Sequence, residues 1–211
     1  MRMDNESGFT MIEIAVSLMI VAILAAILTP LVGKYVDEAR VTRATQEAQS
    51  IADAILNFQK NTGKWPIFTD GNSIIVTTTT YQVLYSPGAY PATCDAGIDC
   101  GSGDTGWQPA TGKRDPLANH LEYNKPGGGS EAYTITGKFA WRGPYVTNLG
   151  SDPWNGAYLV TAGTLAFGVN KAAFVLSAGP NSRIDTKFSQ PIGTNSPPFE
   201  VGGDDIVSRI R

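Results

Sequence analysis

From Phe9 to Val32 the chain is apolar apart from a single charged side chain, Glu13, and this stretch constrains every other reading. A helix of about twenty such residues crosses the hydrocarbon core of a bilayer. What precedes it, Met1 to Gly8, is short and polar. An ordinary secretory signal is cut after its apolar stretch. Here the processing point that the residues suggest, Gly8, comes before it, so cleavage between Gly8 and Phe9 removes a polar leader and leaves the helix on the mature chain. The expected organisation is a leader at 1–8, a transmembrane helix at 9–32, an amphipathic continuation at 33–63 and a head outside the membrane at 64–211.

Glu13 needs a physical reason, because a carboxylate within lipid costs at least a few kcal/mol unless it is paired or protonated. Two readings stand. It sits one turn from the helix start and could reach the headgroups, or it could meet a positive charge at the same depth. Cleavage would create such a charge on the amine of Phe9. A neighbouring copy shifted along a filament axis could present that amine to Glu13 and so set the register between subunits.

Pro30 interrupts the apolar run and removes a backbone donor, which predicts a kink. Beyond it the pattern becomes amphipathic. Ala44, Ala48, Ile51, Ile55 and Phe58 recur at spacings of four and three, the signature of one buried helical face. Arg43, Gln46, Glu47, Gln49, Asp53 and Lys60 populate the other side. Gly63 is a natural C-cap, and Trp65-Pro66 ends the helix. Phe9 to Asn61 would extend about 80 Å at about 1.5 Å per residue.

The rest of the chain reads as short strands among turns. Most of the 23 glycines and 13 prolines fall after residue 60. Ser73 to Tyr85, Tyr133 to Trp141, Ala157 to Thr161 and Ala172 to Ser177 are strand-like. Residues 86–129 read as an inserted surface loop, and Gly127-Gly128-Gly129 as a flexible linker without the Lys-Ser/Thr of a phosphate loop. The expected fold class is α+β, a long helix packed on a small antiparallel sheet with long loops. Cys94 and Cys100 close a six-residue step that suits a local disulfide in an oxidising compartment, a metal pair being the other reading. The one histidine, His120, reads as a solvated loop residue. With 17% charged residues and a net charge of −3, no basic face for nucleic acid is expected. No converging nucleophile, base and acid are visible, so the chain does not read as an enzyme.

Gly8-Phe9-Thr10-Met11-Ile12-Glu13, followed by an apolar helix with Pro30, resembles the prepilin signature of type IV pilins and type II secretion pseudopilins. The glycine before the cut, the phenylalanine after it and the glutamate five residues into the mature chain match together at fixed spacing. The resemblance implies cleavage after Gly8 by a prepilin peptidase, with methylation of the Phe9 amine, and assembly roles for Glu13 and Pro30. It also implies a pilin-like fold and a single-pass protein of the bacterial inner membrane.

Farther on, Gly143-Pro144-Tyr145-Val146, Asp152-Pro153-Trp154 with Tyr158, Phe174 to Asn181, and Gly203-Asp204-Asp205-Ile206 resemble the head of the major pseudopilin. In that protein the C-terminal loop binds calcium. The resemblance implies a calcium set drawn from Asn181, Asp185, Asp204, Asp205 and the carbonyl of Leu176; the other reading is a pair of solvated carboxylates. The implied function is that of a structural subunit, a homo-oligomer in a helical periplasmic pseudopilus of type II secretion. Its implied partners are minor pseudopilins, the prepilin peptidase, an inner-membrane assembly platform and a cytoplasmic ATPase. The alternative is a pilus subunit for adhesion, motility or DNA uptake.

Overall fold

The computed structural model describes residues 8–68, 80–98, 100, 106–110, 112–129, 132–166, 168–192 and 198–211. Two compact units emerge, Met1–Arg40 and Val41–Arg211, and helix α1 (Met11–Thr62) contributes to both.

In the N-terminal unit Thr10 opens the helix: the Glu13 amide lies 3.1 Å from its carbonyl and 3.4 Å from its hydroxyl. Within the span Ser17 donates to the Glu13 carbonyl at 2.8 Å and Thr29 to the Ala25 carbonyl at 2.7 Å. Those back-bonds satisfy hydroxyls that lipid would leave without partners. Phe9, Met11, Leu18, Val21, Ile27 and Leu31 are all exposed, so the unit covers none of its apolar faces itself. The helix continues through position 30.

In the C-terminal unit the stripe expected from the spacing is the packed face. Ala44, Ala48, Ile51, Ile55 and Phe58 are buried, with Ala52 and Ala54 widening the contact. Thr62 returns its hydroxyl to the Phe58 carbonyl at 2.8 Å, and Gly63, at φ 68°, ends the helix in the left-handed conformation.

Against this face stands a five-stranded sheet of order β2-β1-β3-β4-β5. The strands are β1 (Val83–Tyr85), β2 (Arg114–Pro116), β3 (Leu159–Thr161), β4 (Phe174–Ser177) and β5 (Ile206–Arg209). β1 and β2 are parallel and every other pair is antiparallel. The register places Leu84, Val160 and Val175 side by side, and these face the helix in one core cluster with Phe58 and Ile55. Their alternates Val83, Leu159, Phe174 and Leu176 enter a second cluster on the other face, around Trp107, Ile184 and Phe188. Period-two alternation thus feeds two apolar layers, one capped by α1 and one by loops.

Several sequence expectations change here. Tyr133 to Trp141 is not a strand. The backbone of Tyr133 bonds the side chain of Asn124 instead, its amide to Oδ1 at 2.8 Å and its carbonyl to Nδ2 at 3.1 Å, and Trp141 N turns back to the Thr134 carbonyl. The described residues of 86–129 do not form a surface insertion. They supply β2, the short helix α2 (Leu117–Leu121) and the fully buried Trp107, Leu117 and Leu121. Gly127 and Gly128 belong to a 3-10 turn (Pro126–Gly128) and are no loose linker, because the Gly127 amide donates to Asp115 at 3.0 Å. Of the strand expected at Ser73 to Tyr85, β1 is its end, while positions 73–79 lie outside the described residues.

Candidate assembly motif and cation site

At the N-terminus, Gly8 and Phe9 stand immediately before α1, and Glu13 lies in its first turn, exposed. Phe9 and Glu13 line one shallow groove with Ile14, Ser17, Leu18 and Val21. One helical turn separates the two, so the carboxylate and the residue that would carry a new amine lie on the same side of the helix. Met1 to Ser7 lie outside the described residues.

The acidic residues near the C-terminus converge. The turn after β4 brings the Asn181 amide to Asp204 Oδ2 at 3.2 Å and the Asn181 side-chain amide to Asp185 Oδ2 at 3.0 Å. Asp205 accepts from two successive amides, Asp185 N at 2.9 Å and Thr186 N at 2.6 Å. Gly203, at φ 51°, lets the backbone pass directly against the Asp185 carboxylate, where any Cβ would collide. Leu176 sits within β4, register-paired with Leu159 and Val207, and the turn that reaches Asp204 begins beyond the strand's end.

Three carboxylate oxygens in this cluster, Asp185 Oδ1, Asp204 Oδ1 and Asp205 Oδ1, are buried without a hydrogen-bond partner. A buried carboxylate oxygen left unpaired carries an uncompensated desolvation cost. Burial pushes Asp205 from 3.8 up to about 6, against the hydrogen bonds from Thr186 and Asp185 that favour its anion. Both observations describe acids short of hydrogen-bond partners, with Arg183 the cation in reach, 3.6 Å from Asp185. The donors are hard oxygens, the class that calcium takes. Among the described residues no three acidic, imidazole or thiol side chains stand at preformed coordination spacing. The set therefore offers the donor type that a hard cation takes, without a preformed shell.

A second lobe walls this cluster. Cys94 and Cys100 are joined as a disulfide, with their Cα atoms 5.7 Å apart. Asp95 N donates to the Ile184 carbonyl at 2.9 Å, and Ile184 N to the Thr93 carbonyl at 3.2 Å. The Trp107 indole donates to the Thr186 carbonyl at 2.8 Å, beside the amides that hold Asp205.

His120 is the clearest misreading of the sequence. It is fully buried on α2, with Nδ1 2.6 Å from the Tyr133 hydroxyl and Nε2 2.9 Å from Asp115 Oδ2. Asp115 also accepts from Asn119 Nδ2 at 3.0 Å. An Asp–His–Tyr line resembles a catalytic relay on paper, but a histidine with no exposed surface meets no substrate. Its work is to tie β2 and α2 to the segment beginning at Tyr133.

Comparison with known proteins now bears on the N-terminal motif. The prokaryotic N-terminal methylation motif family matches residues 3–29. The chain is 38% identical over 61 residues to the type IV major pilin protein PilE1 of Neisseria gonorrhoeae, covering 29% of this chain and 37% of that protein. It is 36% identical over 76 residues to type II secretion system core protein G of Pseudomonas aeruginosa, covering 36% of this chain and 54% of that protein. The N-terminal third of the chain is thus similar to type IV pilins and to a type II secretion core protein alike, and it carries their N-terminal methylation motif.

A fimbrial protein of Neisseria meningitidis is similar at 36% identity over 61 residues, or 36% of its length. This pilin-like chain thus spans between about a third and about half of the curated relatives it matches. No solved structure matches it. Helix α1 is long and apolar enough to cross a membrane, and the methylation motif lies at its start.

Proposed function

We propose that this protein is a subunit of a type II secretion pseudopilus, assembled after cleavage between Gly8 and Phe9 and methylation of the new Phe9 amine. The observation that carries the filament reading is the N-terminal unit. Its apolar stretch, which runs to Val32, exposes its large apolar side chains and holds one carboxylate, Glu13, a single turn from Phe9. Such a helix leaves lipid only for an environment that covers it equally well and neutralises that charge. A bundle of copies, each presenting its Phe9 amine to a neighbour's Glu13, meets both demands and sets the axial step of a helical homo-oligomer. Pro30 frees one carbonyl in the span and gives the helix a place to adjust as the bundle packs.

The acidic cluster favours the pseudopilus over a pilus, because its unpartnered oxygens lie in the loop that resembles the calcium loop of the major pseudopilin. Asp185, Asp204 and Asp205 would hold calcium, with Asn181 positioning Asp185. The ion would supply the missing counter-charge and join the turn after β4 to the loop before β5. The partners on this reading are minor pseudopilins, a prepilin peptidase, an assembly platform and a cytoplasmic ATPase, and the consequence is export of folded proteins.

The test has two arms. Intact mass and N-terminal sequence of the membrane-extracted protein should show a chain beginning at methylated Phe9. In a Glu13→Ala variant that start should persist while filaments disappear. Deletion should abolish secretion of exoproteins. Loss of sheared surface filaments with secretion intact would transfer the protein to the pilus class, and a chain still beginning at Met1 beside an active peptidase would sink both readings.

A further inference from the structure

Arg183 occupies a position that neither the filament nor the cation reading explains. Its guanidinium NH2 pairs with Asp95 Oδ1, while its Nε stands 3.6 Å from Asp185 Oδ1, one of the three buried carboxylate oxygens without a hydrogen bond. The Asp185 side chain is nearly buried, at 9% exposure, whereas those of Arg183 and Asp95 are about half exposed, at 45% and 46%. The guanidinium is therefore a built-in positive charge at the mouth of the acidic cluster, forked between an outer carboxylate and an inner one. The distance of 3.6 Å is within ion-pair range but too long for a hydrogen bond, so the inner carboxylate is only loosely paired and not captured.

Asp95 does not wander. It follows Cys94 in the disulfide loop, and its own backbone amide is bonded to the Ile184 carbonyl at 2.9 Å. Ile184, the residue between Arg183 and Asp185, is fully buried in the second core cluster and forms a bridge with Cys94. The loop and the 183–185 segment are thus clamped in register, Asp95 facing Arg183 at one end and Asp185 facing the cluster at the other. The Arg183 amide is held as well, by Asn181 Oδ1 at 2.6 Å, so the guanidinium's remaining freedom is in its side-chain torsions.

We infer that Asp95 is a positioning residue for the cation site: by holding the Arg183 guanidinium outward, it keeps an internal competitor off Asp185 and leaves that carboxylate to a bound hard cation. The Cys94–Cys100 loop is the platform on which Asp95 stands. This rests on the calcium reading of the cluster, and it adds a determinant outside the set of oxygen donors. Without Asp95 the guanidinium has one carboxylate left within reach, and closing the gap to Asp185 gives it a short, mostly desolvated ion pair. A cation arriving there must then displace a tethered positive charge.

The test is calcium titration by isothermal calorimetry on the full chain in detergent micelles, comparing wild type, Asp95→Asn, Arg183→Gln and the double variant. Asp95→Asn should weaken calcium binding about tenfold, the scale of one competing charge near the surface. Arg183→Gln should bind at least as tightly as wild type. The double variant should match Arg183→Gln, because Asp95 then has nothing to restrain. Removing the disulfide by Cys94→Ser with Cys100→Ser should weaken binding while Arg183 is present, and should have no effect when combined with Arg183→Gln.

Equal loss from Asp95→Asn with and without Arg183 would overturn the inference, since it would make Asp95 itself a ligand or a fold determinant. Wild-type affinity in Asp95→Asn would overturn it too. A folded wild type that takes up no calcium would remove the cation reading and this inference together, an outcome distinct from the other two.

Discussion

Glu47 lies on the face of α1 that the spacing assigns to solvent, yet its carboxylate reaches across to the sheet. Its Oε2 accepts from the Tyr158 hydroxyl at 2.6 Å, and its Oε1 accepts from Arg43 Nε at 2.8 Å one turn earlier. Tyr158 is 1% exposed, so its hydroxyl has little access to water. Burial first, and then the bond to Glu47, push its ionisation far above the ordinary range, so the hydroxyl stays a donor at every working pH. Removing the two ends of this bond should have unequal costs. Glu47→Ala strands a buried hydroxyl without an acceptor, which costs about 2–3 kcal/mol. Tyr158→Phe leaves the carboxylate half-exposed and still paired with Arg43, so about 1–1.5 kcal/mol is expected.

The double variant should cost about 1 kcal/mol less than the sum of the singles, the coupling of a charge-assisted bond after discounting for the exposed carboxylate. Urea unfolding of the full chain in micelles, followed by far-ultraviolet circular dichroism, measures all three. If the double variant is simply additive, the hydroxyl and the carboxylate are uncoupled and the tyrosine acts through packing alone. The bond between helix and sheet would then contribute nothing net.

Three further outcomes follow from the same head. Phe58→Ala removes a fully buried ring that meets Tyr133 and Tyr145 edge-on at 4.9 and 5.6 Å, and should cost about 3–5 kcal/mol, while Phe58→Leu should cost less than half as much in the same urea experiment. His120→Ala should lose about 3 kcal/mol by opening a cavity and removing the bond to the Tyr133 hydroxyl, and His120→Gln, close in volume, should recover part of it; equal loss in both would assign the effect to the imidazole's bonds and not to volume. The third concerns pH. Asp205 is raised from 3.8 to about 6, so the fold favours its protonated form. Its contribution to stability is full below about pH 4 and is lost as pH rises through about 6. Calcium-free protein should therefore lose stability across that window, Asp205→Asn should flatten the loss, and saturating calcium should remove it; a calcium-free profile that rises instead would refute the assignment.

The features written in the sequence are those set by local composition and period. The length and polarity of Phe9 to Val32, the order Gly8-Phe9 then Glu13, and the spacing from Ala44 to Phe58 needed no distant partner to be read. A bilayer and a helical face each select residues within one continuous stretch. The stop at Gly63 followed from a single backbone conformation that glycine alone adopts cheaply. Strands β3 and β4 were legible because Leu159–Thr161 and Phe174–Ser177 are dominated by β-branched and apolar residues.

The rest depended on contacts between residues far apart in the chain. Nothing local marks Trp107 as core, for it stands alone among glycines and prolines, and its burial comes from Phe174, Phe188 and the Thr186 carbonyl. His120 looked solvated because its partners, Asp115 and Tyr133, become neighbours only when α2 turns back over β2. Tyr133 to Trp141 has strand composition, yet Asn124 claims the hydrogen bonds a partner strand would have made.

The acid pair Asp204-Asp205 was visible, but its orphaned oxygens and the Arg183 fork were not, because burial and the disulfide lobe decide them. The sequence alone determined where the helix runs, what it can anchor to and which signal precedes it, since those follow from the free energy of transferring each side chain in turn. Only the tertiary structure decided which polar groups lose their water and which partners replace it, since that depends on segments separated by as many as 159 residues meeting in space.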